Sequence, residues 1–260
     1  MADTACDRVF HVQRTLASMD GPSHGPRAIA REAGLNKSTV HRILNSGLAY
    51  DVFVRDGAGK YRLGSGAIGL GMRAAAYRFS EAPQRRILAR LLHEASGMLC
   101  AIESLTPLTA ARRRTEQYVA RSGVLAEPGA VGDGFMASAR SLRAGATGRV
   151  LLSDLPATVQ RAVAVEGLPA SLKGPGYIQD PDEFLRAVGE AASHGIAVSR
   201  EEVRADWCAV AAPIGRNVVM GAVVLAKPSG DMTPDAAEEI ARTREAAARI
   251  SDLLAEVSAA

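Results

Sequence analysis

Cysteine is scarce and scattered in this chain of 260 residues: Cys6, Cys100 and Cys208 form no C-x-x-C pair. That excludes a disulfide framework or a cysteine zinc site as the organising device, and buried free thiols in a reducing cytoplasm are expected. His11, His24, His41, His93 and His194 make no i, i+4 pair, so no metal ligand set is expected either. No apolar run approaches the ~20 residues of a membrane span. The start Met1-Ala-Asp-Thr4 lacks the cationic and apolar regions of a secretory signal. A soluble, intracellular protein without membrane partners is the expectation. There is no G-x-S-x-G elbow and no G-x-x-x-x-G-K-[ST] frame. With no nucleophile, cofactor or metal signature, no catalytic residue is assigned and no enzyme is expected.

The net charge of +3 is too small to indicate nucleic acid by itself, but its distribution is uneven. Residues 1–75 hold 10 Lys/Arg against 6 Asp/Glu, whereas residues 76–260 hold 21 against 22. The basic excess coincides with Gly25 to Arg42, which reads as two helices meeting at a tight turn. Pro26 suits a first helical position, Gly34 suits a left-handed stop, and Asn36 or Ser38 can cap the next helix, Lys37–Asn45. Val40, Ile43 and Leu44 fall on one side of that helix by the i, i+3, i+4 rule. Lys37, Ser38, Thr39, His41 and Arg42 are left facing outward, the chemistry of a recognition helix in a major groove. Arg27 on the preceding helix joins this set of DNA contacts.

Two short strands follow, Asp51–Arg55 and Lys60–Leu63, around Asp56-Gly57-Ala58-Gly59, with Asp-Gly as the hairpin signal. Val52 and Val54 alternate, as do Tyr61 and Leu63. A hairpin directly after a recognition helix is a wing, and Arg55, Lys60 and Arg62 are placed to touch phosphate. Val9, Val12, Leu16 and Met19 give a helical stripe upstream. The first domain is accordingly set at residues 1–65, a winged helix-turn-helix. A glycine-bearing linker helix at 66–79 is read as a dimerisation element. One winged domain has too small a footprint for adequate discrimination, so a homodimer or homotetramer on a double-stranded, near-palindromic operator is expected.

Residues 80–260 read as an α+β domain with a mixed or antiparallel sheet clasped by long helices. Helices are expected from Ser80 to about Ser96, at Ala144–Leu152, Ala157–Val165 and Pro181–Ser193, and from Thr233 on. Strands are expected at Met98–Ile102, Gln117–Ala120, Val131–Met136, Gly195–Ser199, Cys208–Ile214 and Val218–Leu225. The last two flank Gly215-Arg-Asn217 as a hairpin buried on both faces. Arg112-Arg113-Arg114 could form a phosphate patch or an anion clamp but reads first as a solvated loop, because runs of like charge usually face water. Glu201-Glu202 with Asp206 reads as a solvated turn. Gly145-Ala-Thr-Gly148 reads as a helix start whose N–H groups line a ligand pocket.

On these residues the chain resembles the IclR family of bacterial transcription regulators over nearly its full length. The resemblance rests on Ala28–Leu44, with its Lys-Ser-Thr-Val-His-Arg run, and on Tyr61-Arg-Leu-Gly64. It rests further on Ala144–Leu152, His194–Glu202 and Cys208–Ile214. It implies a winged helix followed by a GAF-like effector domain, and a dimer or tetramer that binds a small organic or aromatic acid in a sheet-bounded pocket. Onto this chain it places the effector site at Ala146, Thr147, Ser199, Trp207, Ala209, Val224 and Ala226. Three features depart from the family: Asp206-Trp207 replaces a glycine and a small apolar residue, Gly148-Arg149 replaces Gly-Lys, and Val224 and Ala226 replace serines. A pocket without those hydroxyls desolvates a carboxylate poorly, so a bulkier or more apolar effector is expected, with Trp207 either lining the pocket or filling it. The reading is a ligand-controlled, sequence-specific DNA-binding regulator without a cofactor. Its alternatives are a second domain that only oligomerises, or an enzyme acting on a small organic acid.

Overall fold

The structure is a computed structural model that describes residues 4–76, 81–106, 112–122 and 140–256. The chain forms two compact units, one built on residues 1–77 and the other on 78–155 and 159–260.

In the first unit, helix α1 (Ala5–Ser18) opens with a capping box in which the Thr4 hydroxyl accepts from the Asp7 N–H and the Asp7 carboxylate accepts from the Thr4 N–H. Helix α2 (Pro26–Glu32) starts on its proline, and Gly34, at φ +62°, makes the left-handed stop before α3 (Lys37–Leu48). Asn36 holds the cap position of α3, but its side chain makes no capping hydrogen bond and Ser38 lies inside the helix. Strands β1 (Phe53–Arg55) and β2 (Tyr61–Leu63) pair antiparallel, with Phe53 opposite Leu63. Val12, Ile29, Val40, Leu44, Phe53 and Tyr61 form the shared core.

Two expectations about the wing are corrected. The residues it turns inward are Phe53 and Tyr61, each 1% exposed, while Val52 and Val54 are half-buried. The larger rings bury more apolar surface and contribute roughly 1.5–3 kcal/mol each. Gly47 of α3 makes room for one of them, since a Cβ there would lie 2.3 Å from the Phe53 ring. The turn's positive φ falls at Gly59 (+75°) and not at the Asp-Gly pair. Asp56 shapes it instead, accepting from the N–H groups of Ala58 and Lys60 at 3.0 and 2.8 Å. Helix α4 (Ser65–Ala76) closes this unit and leaves Ile68, Leu70 and Met72 exposed.

The second unit is built on a six-stranded sheet in which every pairing is antiparallel. Its strands are β3 (Leu99–Leu105), β4 (Arg112–Ala120), β5 (Arg140–Ser141), β6 (Ala197–Arg200), β7 (Trp207–Ile214) and β8 (Gly221–Pro228), in spatial order β5-β4-β3-β8-β7-β6. Helices α5 (Glu81–Glu94) and α9 (Ala237–Glu256) cover one face around Leu88, Leu91, Ile102, Ile214, Val223 and Ile250. Helices α6 (Ala146–Leu152), α7 (Ala157–Ala164) and α8 (Pro181–His194) supply the other core, around Ala101, Leu151, Phe184, Ala211, Ala222 and Val224.

Four sequence expectations fail here. Arg112, Arg113 and Arg114 are not a solvated loop but the start of β4, with Arg113 buried between half-buried Arg112 and exposed Arg114. Glu202 is not in a solvated turn but buried, 6% exposed. The second strand of the last hairpin begins at Gly221, later than the apolar run that starts at Val218. Cys100 and Cys208 are buried thiols, but Cys6 is exposed. The strand expected at Val131–Met136 lies outside the described residues.

Candidate functional site

The outward surface of α3 is set by its burial. Val40 and Leu44 are fully buried and Ile43 is 8% exposed. Helical periodicity therefore turns Lys37, Ser38, His41 and Arg42 to solvent, with Thr39 half-buried. His41 Nδ1 lies 3.2 Å from Asn45 Nδ2, and the Tyr61 hydroxyl donates to Asn45 Oδ1 at 3.1 Å, linking the helix to the wing. Arg27 is exposed on α2. In the wing, the Arg55 guanidinium stands over the Tyr61 ring at 5.8 Å, and Arg62 Nη1 donates to the Leu63 carbonyl at 3.2 Å. Arg55, Lys60 and Arg62 are all exposed. The first unit thus presents six cations or hydroxyls from two helices and three cations from a hairpin, with no carboxylate paired to any of them among the ion pairs of the described residues.

On the second unit, strand register sorts the expected effector residues. Ser199 pairs with Ala209, Ala209 with Ala226 and Ala226 with Leu99, forming one row across the sheet. Trp207 and Val224 are two residues along their strands from that row, so alternation puts them on the same face. This is the face that packs Ala146 of α6 against Ala101, Ala211 and Val224. All seven residues therefore belong to one side of the sheet. Ala146, Thr147, Ser199 and Val224 are buried, and Trp207, Ala209 and Ala226 are half-buried. The indole of Trp207 lies beneath the Arg204 guanidinium, 5.5 Å from its centroid.

That face also carries a buried polar cluster. Arg149 Nη1 lies 2.6 Å from both carboxylate oxygens of Glu202, and its Nη2 donates to the Val198 carbonyl at 2.6 Å. Glu202 Oε2 also accepts from the Gly145 N–H at 3.1 Å. Glu103 on β3 faces Arg113 and Arg140. Burial alone would raise its pKa, but those two guanidinium groups and the Thr147 hydroxyl hold it below the usual carboxylate range. Sequence reasoning missed Glu103 and Arg140 altogether and placed Arg113 in a solvated loop. The usable signal was alternation: Arg113 and Thr115 sit two apart, and β4 extends the strand expected at Gln117–Ala120 back through them.

Both halves match known families. The model of the IclR helix-turn-helix domain matches residues 5–46, and that of the bacterial transcriptional regulator IclR C-terminal domain matches residues 136–252. The chain belongs to the IclR family. It is a DNA-binding transcriptional regulator of that family, with the family's winged helix and α+β second domain. Solved structures agree in fold. An IclR homolog from Microbacterium hydrocarbonoxydans, complexed with 4-hydroxybenzoate, is 22% identical over 97% of this chain and 100% of its own, with a TM-score of 0.56. An IclR regulator from Alicyclobacillus acidocaldarius is 23% identical over 96% and 98%, with a TM-score of 0.57. The IclR protein of Thermotoga maritima is 18% identical over 96% and 98%, at 0.53. No curated protein sequence matches the chain. Among the described residues no helix is long and apolar enough to cross a membrane.

Proposed function

We propose that this IclR regulator reads an operator with α3 and releases or retains it according to a small-molecule effector held on the α6 side of the sheet. Ser38, Thr39, His41 and Arg42 reach base edges in the major groove, while Lys37 and Arg27 hold phosphate. Arg55, Lys60 and Arg62 grip the backbone from the wing. Two copies, joined through the apolar residues Ile68, Leu70 and Met72 of α4, present two such heads to an inverted repeat. The observation that carries this reading is the division of α3 into a buried Val40-Ile43-Leu44 side and an exposed Lys37-Ser38-His41-Arg42 side.

The effector reading is supported by the row of small side chains Ser199, Ala209 and Ala226 and by the half-buried Trp207 beside it. It is supported also by 4-hydroxybenzoate in the Microbacterium homolog. Trp207 lines the site and does not fill it. An effector acts by binding more tightly to one arrangement of the two heads than to the other. No step of this reading needs a reaction, and the protein is proposed to act as a binding regulator, not as an enzyme. Footprinting of selected genomic fragments, with and without candidate metabolites, tests it: protection of a discrete inverted repeat that changes on adding a ligand is expected.

A further inference from the structure

Between α1 and α3 the first unit leaves a groove of about 420 Å³ that its own core does not fill. Helix α1 contributes Val9, helix α3 contributes Ile43, and Val52 and Phe53 at the start of the wing complete the apolar lining. Ile43 and Phe53 are buried, and Val9 and Val52 are half-buried. Tyr50 also lines the groove, yet 77% of its surface is exposed, so this large ring packs little of itself against the protein. Two cations reach the groove, Arg8 and Arg42, and no carboxylate lines it among the described residues. Arg8 donates from Nε to the Thr4 carbonyl at 3.3 Å. Arg42 is exposed and makes no hydrogen bond or ion pair among the described residues. An apolar lining with a few polar groups and a volume within roughly 300–1,000 Å³ is the usual form of a small-molecule site.

We propose that this groove is a ligand site within the DNA-binding head itself, for an amphipathic monoanion with an aryl or medium-chain alkyl body. The body lies against Val9, Ile43 and Val52, the anionic group accepts from the Arg42 guanidinium, and Tyr50 flanks the opening. Charge selects this occupant. The exposed apolar residues of a second copy's α4 come on a helix that carries Arg73 and no carboxylate, so they do not complement a cationic rim. One uncommitted guanidinium matches one negative charge. Thr39 and Arg42 belong both to the groove and to the recognition surface, so a ligand that holds Arg42 withdraws it from the duplex. That consequence rests on the proposed reading of DNA by α3, whereas the site itself does not. A ligand here acts at the DNA contact directly and needs no message from the second unit.

The test uses the full chain with 4-phenylbutyrate, its neutral amide, and acetate, which lacks the apolar body, all at fixed ionic strength. Calorimetry should show 4-phenylbutyrate binding at least tenfold more tightly than the amide, and no binding of acetate. R42Q should bind acid and amide alike. S46F places a ring in the groove from an exposed position of α3 and should abolish binding of both. S46E sets a carboxylate one turn from Arg42 and should weaken the acid but not the amide, which keeps the test decisive if S46F folds poorly. The chain has one tryptophan, Trp207 in the second unit, so its emission should stay constant as the groove fills. 4-Phenylbutyrate should also displace random-sequence duplex, and acetate should not. No binding, equal affinity for acid and amide, or full affinity in R42Q and S46E overturns the groove site. Binding that shifts Trp207 emission and survives S46F belongs to the second unit and overturns it as well. Binding with the expected variant pattern that leaves duplex affinity unchanged supports the site and overturns the reading of DNA by Thr39 and Arg42.

Discussion

Arg149 and Glu202, 53 positions apart in the chain, meet as a buried pair in which one guanidinium nitrogen lies 2.6 Å from both carboxylate oxygens. The pair fastens α6 to the segment after β6, and so fixes one wall of the proposed effector site. Glu202→Ala would leave Arg149 charged and unpaired in the interior, at a cost of ~3–5 kcal/mol. R149M combined with E202L should recover most of that loss. Urea unfolding of the single and double variants measures both, and equal destabilisation in the two would show that the pair's geometry, and not its charge balance, matters.

Gly47→Ala probes the seating of the wing on the recognition helix. The added methyl would meet the buried Phe53 ring at 2.3 Å. Overpacking of this kind costs ~1–3 kcal/mol. A lower Tm for the first unit and weaker DNA binding are expected together. An unchanged Tm would mean that Phe53 moves freely, contrary to its burial.

Glu239 supplies a pH dependence. Its carboxylate accepts from Lys227 Nζ at 2.8 Å and from the Thr233 hydroxyl at 2.8 Å. Burial opposes ionisation, but these partners hold its pKa to about 2, below the ordinary 4.5. Because the folded-state value is depressed, this stabilisation is complete above about pH 4.5 and is lost as pH falls toward 2. Glu239→Gln should flatten that part of the stability curve measured by thermal melts from pH 6 to 3. An identical acid limb in the variant would remove Glu239 as its source.

The winged helix was legible because its signals are local: a proline start, a glycine stop, an i, i+3, i+4 stripe and a two-strand reversal all lie within about forty residues. The inward face of the wing was not, because Val52, Phe53 and Val54 are all acceptable strand residues and only the space above Gly47 selects the ring. The last hairpin followed from apolar runs, and Ser199, Ala209 and Ala226 were named from the family likeness, but their alignment in one row depends on strand register. The buried cluster did not follow, for a different reason. Three consecutive arginines read as water-facing unless the strand's alternation is known, and that alternation depends on pairing with Glu103 and Leu105, contacts made across the sheet. Charge composition alone cannot separate Arg113 from its neighbours.

Arg42→Ala should weaken specific operator binding by ~1–3 kcal/mol if the side chain reads a guanine, and relax preference at that base. Lys37→Ala should weaken binding to specific and random duplex alike and reduce the salt slope by ~1. Anisotropy titrations at several salt concentrations separate the two.

The most direct test of the account is competition binding of the full chain to genome-derived duplexes against random-sequence duplex across a salt series. The account predicts a preferred fragment, affinity that falls steeply with salt, and loss of the preference in R42A. Binding without preference for any fragment, or preference that survives replacement of the exposed α3 residues, would contradict it.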